Sequence, residues 1–130
     1  MDASPESPEA VVHAFADAIN RQSPDDLAAL MTDDHLFIDA LGNRVQGREA
    51  MRAGWRGYFS LVPDYTITVE ETYSAGDVVV MLGTAQGTTN GGQWQTPAAW
   101  RAEIHGSQIA AWRVYADNEP IRKLLANQPK

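Results

Sequence analysis

The stretch Trp94 to Glu119, WQTPAAWRAEIHGSQIAAWRVYADNE, limits the possible folds more than any other part of the chain. It reads as two long antiparallel strands joined by a tight turn at His105-Gly106-Ser107. Side chains alternate along a strand, so Arg101, Glu103 and His105 share one face and Trp94, Trp100 and Ile104 share the other. On the second strand Ile109, Arg113 and Tyr115 oppose Ala110, Trp112, Val114 and Ala116. Charges in mid-strand, flanked by tryptophans, point either to a solvated sheet face or to a pocket with polar groups in it.

The rest of the chain supplies helices first and strands afterwards. Ser7, Pro8 and Glu9 form a helix start, with Val12, Phe15 and Ile19 on one face. Ser23-Pro24-Asp25-Asp26 repeats the signal for a short second helix carrying Leu27, Leu30 and Met31. A strand is expected over residues 35–41, HLFIDAL, and a turn at Gly42-Asn43. A third helix is expected over Gly47 to Leu61, where Gly54 and Gly57 each cost about 1 kcal/mol relative to Ala. Two further strands, Tyr65 to Tyr73 and Val78 to Gly87, lead into the opening stretch, and a short last helix is expected near Pro120 to Asn127. This order predicts an α+β fold. With 130 residues, one domain spanning 1–130 is expected, with residues 1–6 loose.

Charge and composition narrow the function. A net charge of -7 argues against a nucleic-acid footprint and against anionic membranes. No apolar run approaches the roughly 20 residues of a membrane span, and the acidic start MDASPESPEA is unlike a signal peptide. The chain has no cysteine, so disulfides and thiol chemistry are excluded and a cytoplasmic location is expected. The three histidines lack metal-ligand spacing, so no metal is expected.

VVHAFADAIN (11–20), LMTDDHLFID (30–39), the Gly47–Asp64 helix with its Pro-Asp end, and GSQIAAWRVYAD (106–117) occur in an order that resembles the nuclear transport factor 2-like fold. Within that fold the chain resembles the SnoaL-like polyketide cyclases and the ketosteroid isomerases. The resemblance implies a cystatin-like cone: a curved antiparallel sheet closed by three N-terminal helices around a pocket. It also implies a homodimer through the outer sheet face.

The resemblance places Asp39 where ketosteroid isomerases keep a general-base aspartate. A base of this kind works best in a partly apolar pocket that raises its pKa, and the isomerase is itself a standard worked case of that logic. The isomerase's oxyanion tyrosine matches Phe15, and its protonated aspartate matches about Ala99. Arg101, on the face of Ala99, is the candidate oxyanion partner, with Glu103 orienting it or acting as a second acid/base. Asp117 matches an acid/base aspartate of SnoaL-like cyclases, and it also suits a helix N-cap. The expected pocket holds roughly 300 to 1,000 Å³. Phe15, Ile19, Trp55, Tyr58, Phe59 and Trp112 are expected to touch substrate, and Asp39 and Arg101 to point inward.

The implied activity is proton transfer on a small, partly apolar carbonyl compound, of cyclase or isomerase type, with no cofactor. The alternatives are a non-catalytic ligand-binding or dimerisation module and, more distantly, an epoxide hydrolase using Asp39, Arg101 and Asp117.

Overall fold

The structure, a computed structural model, describes residues 7–116. Helix α1 (Pro8–Asn20) begins where Ser7 Oγ accepts a hydrogen bond from the Ala10 N–H at 3.1 Å. Helix α2 (Pro24–Ala29) repeats the device, with Ser23 Oγ accepting from the Asp26 N–H at 3.2 Å. Both helices carry Pro in the first turn, where a missing N–H costs no intrahelical bond. Helix α3 (Arg48–Leu61) buries Met51, Trp55 and Phe59, a stripe at four-residue spacing.

The strands are β1 (Met31–Ile38), β2 (Arg44–Gln46), β3 (Thr66–Ala75), β4 (Val78–Thr89), β5 (Gly92–His105) and β6 (Gln108–Ala116). They form one curved, unclosed six-stranded sheet in the order β2-β1-β6-β5-β4-β3. From β3 to β6 each strand pairs antiparallel with the next, and three helices precede β3, as predicted. The β4–β5 turn is Asn90-Gly91. Both residues have positive φ, the conformation a two-residue hairpin needs, and Gly adopts it without strain. β1 joins β6 in parallel, and the register shifts between Met31 and Leu36.

The first strand departs from its expected span of 35–41. It starts at Met31 and ends at Ile38, because the Gly42 N–H turns back to the Asp39 carbonyl at 3.0 Å and closes a turn there. Residues 44–46, for which no element was expected, form β2 and pair with its end. The expected last helix falls outside the described residues.

Burial alternates along β4 and β5. Val79, Met81, Trp94, Ala98, Trp100, Ala102 and Ile104 face the helices and form the core with α1 and α3. The opposite, outer face carries Val80, Leu82, Arg101 and Glu103. Gly83 marks where β3 crosses β4 too closely for a side chain. A Cβ there would overlap the Thr68 carbonyl oxygen and stand 2.9 Å from its carbon.

Candidate active site

A cavity of about 530 Å³ lies between the inner sheet face and α3. Helical spacing brings Met51, Gly54, Trp55 and Tyr58 to one side of it. Strand alternation brings Trp94, Thr96 and Ala98 of β5, and Val114 and Ala116 of β6, to another. Phe37, near the end of β1, and Asp39, just beyond it, complete the wall with Leu41, Val45 and Tyr65.

Asp39 heads the turn that follows β1. Its Oδ1 accepts from the N–H groups of Leu41 and Asn43, both at 2.9 Å, and its Oδ2 accepts from Asn43 Nδ2 at 3.0 Å. Partial burial pushes the carboxyl pKa up. The donors from Asn43, Leu41 and Gly42 together outweigh that effect and hold it below the ordinary value of 3.8. The expected rise in basicity is therefore reversed: the turn stabilises the ionised form.

Tyr58 and Tyr65 meet edge to face, with ring centroids 4.9 Å apart and planes at 83°. Burial pushes the Tyr58 hydroxyl up to about 12. Burial, with Tyr58 beside it, pushes Tyr65 higher still. Both hydroxyls therefore stay protonated at neutral pH, each with a donor to offer. Backbone anchoring fixes Tyr65 in place. Gln22 Nε2 donates to the Tyr65 carbonyl at 3.1 Å, and the Asn20 amide pairs with both backbone groups of Ile67, at 2.8 and 2.9 Å.

The expected residues divide into groups. Asp39, Trp55 and Tyr58 line the cavity. Arg101 and Glu103 do not. They lie on the outer face of β5, opposite in parity to Trp100 and Ala102, and pair with each other at 2.7 Å. Arg113 stands directly across from Arg101, where like charges repel, and Glu103 offsets that repulsion. The Asp–Arg–Asp set of an epoxide hydrolase therefore does not assemble around Arg101. Phe15, Ile19, Phe59 and Trp112 are core rather than cavity wall: the Phe15 and Trp112 rings pack 4.6 Å apart and fill the space under α1. Asp117 lies outside the described residues.

Tyr65 was missed as a site residue. Its signal was the alternation Tyr65, Ile67, Val69 at the start of β3, which puts the tyrosine on the buried face. Among the described residues, no group of three or more His, Asp and Glu side chains is placed to hold a metal ion.

The family profile of the SnoaL-like domain matches residues 12–117. The chain belongs to the SnoaL-like domain family. Solved structures show the same fold. A SnoaL-like neighbour from Jannaschia sp. CCS1, proposed to be a polyketide cyclase, superposes with a TM-score of 0.84 at 20% identity, covering 99% of each chain. IdmH of Streptomyces antibioticus, proposed to be a polyketide cyclase, gives 0.79 at 19% identity, covering 93% of this chain and 99% of that one. A hypothetical protein of ketosteroid isomerase-like fold from Catenulispora acidiphila DSM 44928, solved with trimethylamine, gives 0.76 at 26% identity over 85% and 86% of the two chains. No curated protein matches the chain significantly. No helix among the described residues of this SnoaL-like chain is long and apolar enough to cross a membrane.

Proposed function

We propose that this SnoaL-like protein is a cofactor-independent enzyme of cyclase or isomerase type, acting on a small, partly apolar carbonyl compound. Asp39 takes a proton from the carbon next to the carbonyl. The C–H electron pair moves into the carbonyl system, and the developing oxyanion accepts hydrogen bonds from Tyr58 and Tyr65. The same carboxyl then returns the proton at another carbon, so no redox partner is needed. The observation that carries this reading is the shared cavity: one ionised carboxylate and two protonated tyrosine hydroxyls line the same apolar space. We place the work in one domain, in a cytoplasmic homodimer that associates through the outer sheet face.

One observation favours a binding module instead: the Asp39 carboxylate already accepts three hydrogen bonds, which weakens it as a base. Proton exchange separates the two readings. A panel of small ketones is incubated with the protein in deuterated water, and loss of α-proton signal is followed by NMR. Exchange above background, abolished in Asp39→Asn and reduced roughly 10- to 1,000-fold in Tyr58→Phe or Tyr65→Phe, supports the enzyme. Ligand binding without exchange in the native protein leaves the binding module.

A further inference from the structure

Five aromatic rings stand in sequence along the cavity wall. Phe37 meets Trp55 at 6.2 Å, Trp55 meets Tyr58 at 6.5 Å, Tyr58 meets Tyr65 at 4.9 Å, and Tyr65 meets Trp94 at 6.1 Å. The first three pairs have interplanar angles of 71°, 84° and 83°, so the wall folds around the space. Asp39 is the one charged side chain among the described lining residues, and no Lys, Arg or His stands with it. Among the described lining residues, fixed charge is thus a single carboxylate, with π-systems around it.

This combination discriminates among ligands by charge. An anion entering the cavity would shed its hydration, meet no cation among the described lining residues and face a like charge. A methylated ammonium is weakly hydrated, and its alkyl shell suits an apolar wall. Its positive charge is attracted by aromatic faces and by a carboxylate.

We propose that the cavity takes a cation of the tertiary or quaternary ammonium class, its alkyl groups against Trp55, Tyr58, Tyr65 and Trp94 and its charge toward Asp39. This rests on reading the cavity as the working site, and it narrows the substrate to carbonyl compounds that carry an alkylated amine. The two chemistries are compatible, because a carbon beside both a carbonyl and an ammonium gives up its proton more readily.

Three probes of similar size and different charge test the proposal: choline, its neutral isostere 3,3-dimethyl-1-butanol, and the anion 3,3-dimethylbutanoate. Binding is read by calorimetry and by tryptophan fluorescence. Choline is expected to bind about tenfold more tightly than the alcohol, with the anion weakest. Asp39→Asn keeps the shape and removes the charge, so most of that preference should vanish while alcohol binding stays. Trp94→Leu, checked for folding by circular dichroism, should weaken choline more than the alcohol. Choline binding no tighter than the alcohol, a preference for the anion, or no binding of any probe would overturn the proposal. Charge preference without proton exchange would instead overturn only the enzymatic reading.

Discussion

Asn43 holds Asp39 from two sides: its backbone N–H reaches Oδ1 at 2.9 Å and its side-chain amide reaches Oδ2 at 3.0 Å. The Asp39 N–H answers to the Asn43 carbonyl at 3.0 Å. The charge state of the candidate base is therefore tied to a five-residue turn. Asn43→Ala removes the side-chain donor, so the Asp39 pKa should rise. Carboxyl chemical shifts followed through a pH titration measure this directly. A folded-state pKa below the unfolded value means that Asp39 stabilises the fold above about pH 3.8, and that this contribution is lost as pH falls through the lowered pKa. In Asn43→Ala that acid dependence should shrink. An unchanged titration would show that Asn43 does not set the basicity of Asp39.

His35 adds a second loss of stability on acidification, at a higher pH than Asp39. It is fully buried in β1, its Nδ1 lies 2.7 Å from the Ile109 carbonyl, and its ring lies 6.3 Å from Phe15. With the proton on Nδ1, Nε2 is left buried without a partner among the described residues. Burial pushes its pKa below 6.5, while the Ile109 bond and the nearby Asp34 pull it back in part. The unfolded chain therefore binds a proton more readily than the folded one. Stability should be full above about pH 6.5 and fall below it, by at most roughly 1.4 kcal/mol per pH unit. Urea midpoints from pH 8 to 5 test this. His35→Gln should be less stable at pH 8 but show a flatter dependence, and an equally steep slope would assign the effect elsewhere.

Gly83→Ala should destabilise the fold at the upper end of the ~1–3 kcal/mol that overpacking costs. The new Cβ would collide with the Thr68 carbonyl of β3, and a backbone atom in a paired strand has little room to move. Thermal unfolding reads this out. A change within about 0.5 kcal/mol, the range of ordinary surface substitutions, would show that β3 can shift away.

The outer sheet face leads to an expectation about assembly. Val80 and Leu82 sit there beside Ala99, and Arg113 covers the ring of Tyr115 at 4.9 Å. A homodimer through this face should bury on the order of 1,200 to 2,000 Å² in total. Leu82→Asp would place two like charges in that contact. Sedimentation should then give a monomer where the native protein gives a dimer, while a native monomer at high micromolar concentration would count against the expectation.

Local signals in the sequence were enough for the helices and the long hairpins. Ser7 and Ser23 cap the helices they were expected to cap, and period-two alternation correctly separated Arg101 from Trp100. Alternation does not say which of two faces is concave. That depends on where α1 and α3 pack, and the tryptophans on the even positions turn out to be the side they cover. Assigning Ala99 and Arg101 to the pocket by resemblance chose the wrong face. Asp39 was legible as a cavity residue because Phe37 and Leu41 share its parity, whereas its lowered pKa came from donors in the turn that parity cannot reveal. The parallel β1–β6 pairing left no local trace, since it joins segments far apart in sequence.

That pairing also sets a schedule for assembly. β6 is made after every other strand, yet it lies between β1 and the rest of the sheet. Until it arrives, β1 has no edge to dock on, and Phe37 and Asp39 have no wall to complete. The helices and the β3–β4–β5 meander can organise early from near-neighbour contacts. Closure between Met31 and Ile109 must come late, across the longest loop in the sheet. A nascent chain that stalls before β6 would carry the aromatic side of its sheet open to solvent, and it is at that moment, rather than in the finished fold, that this protein is most exposed to aggregation.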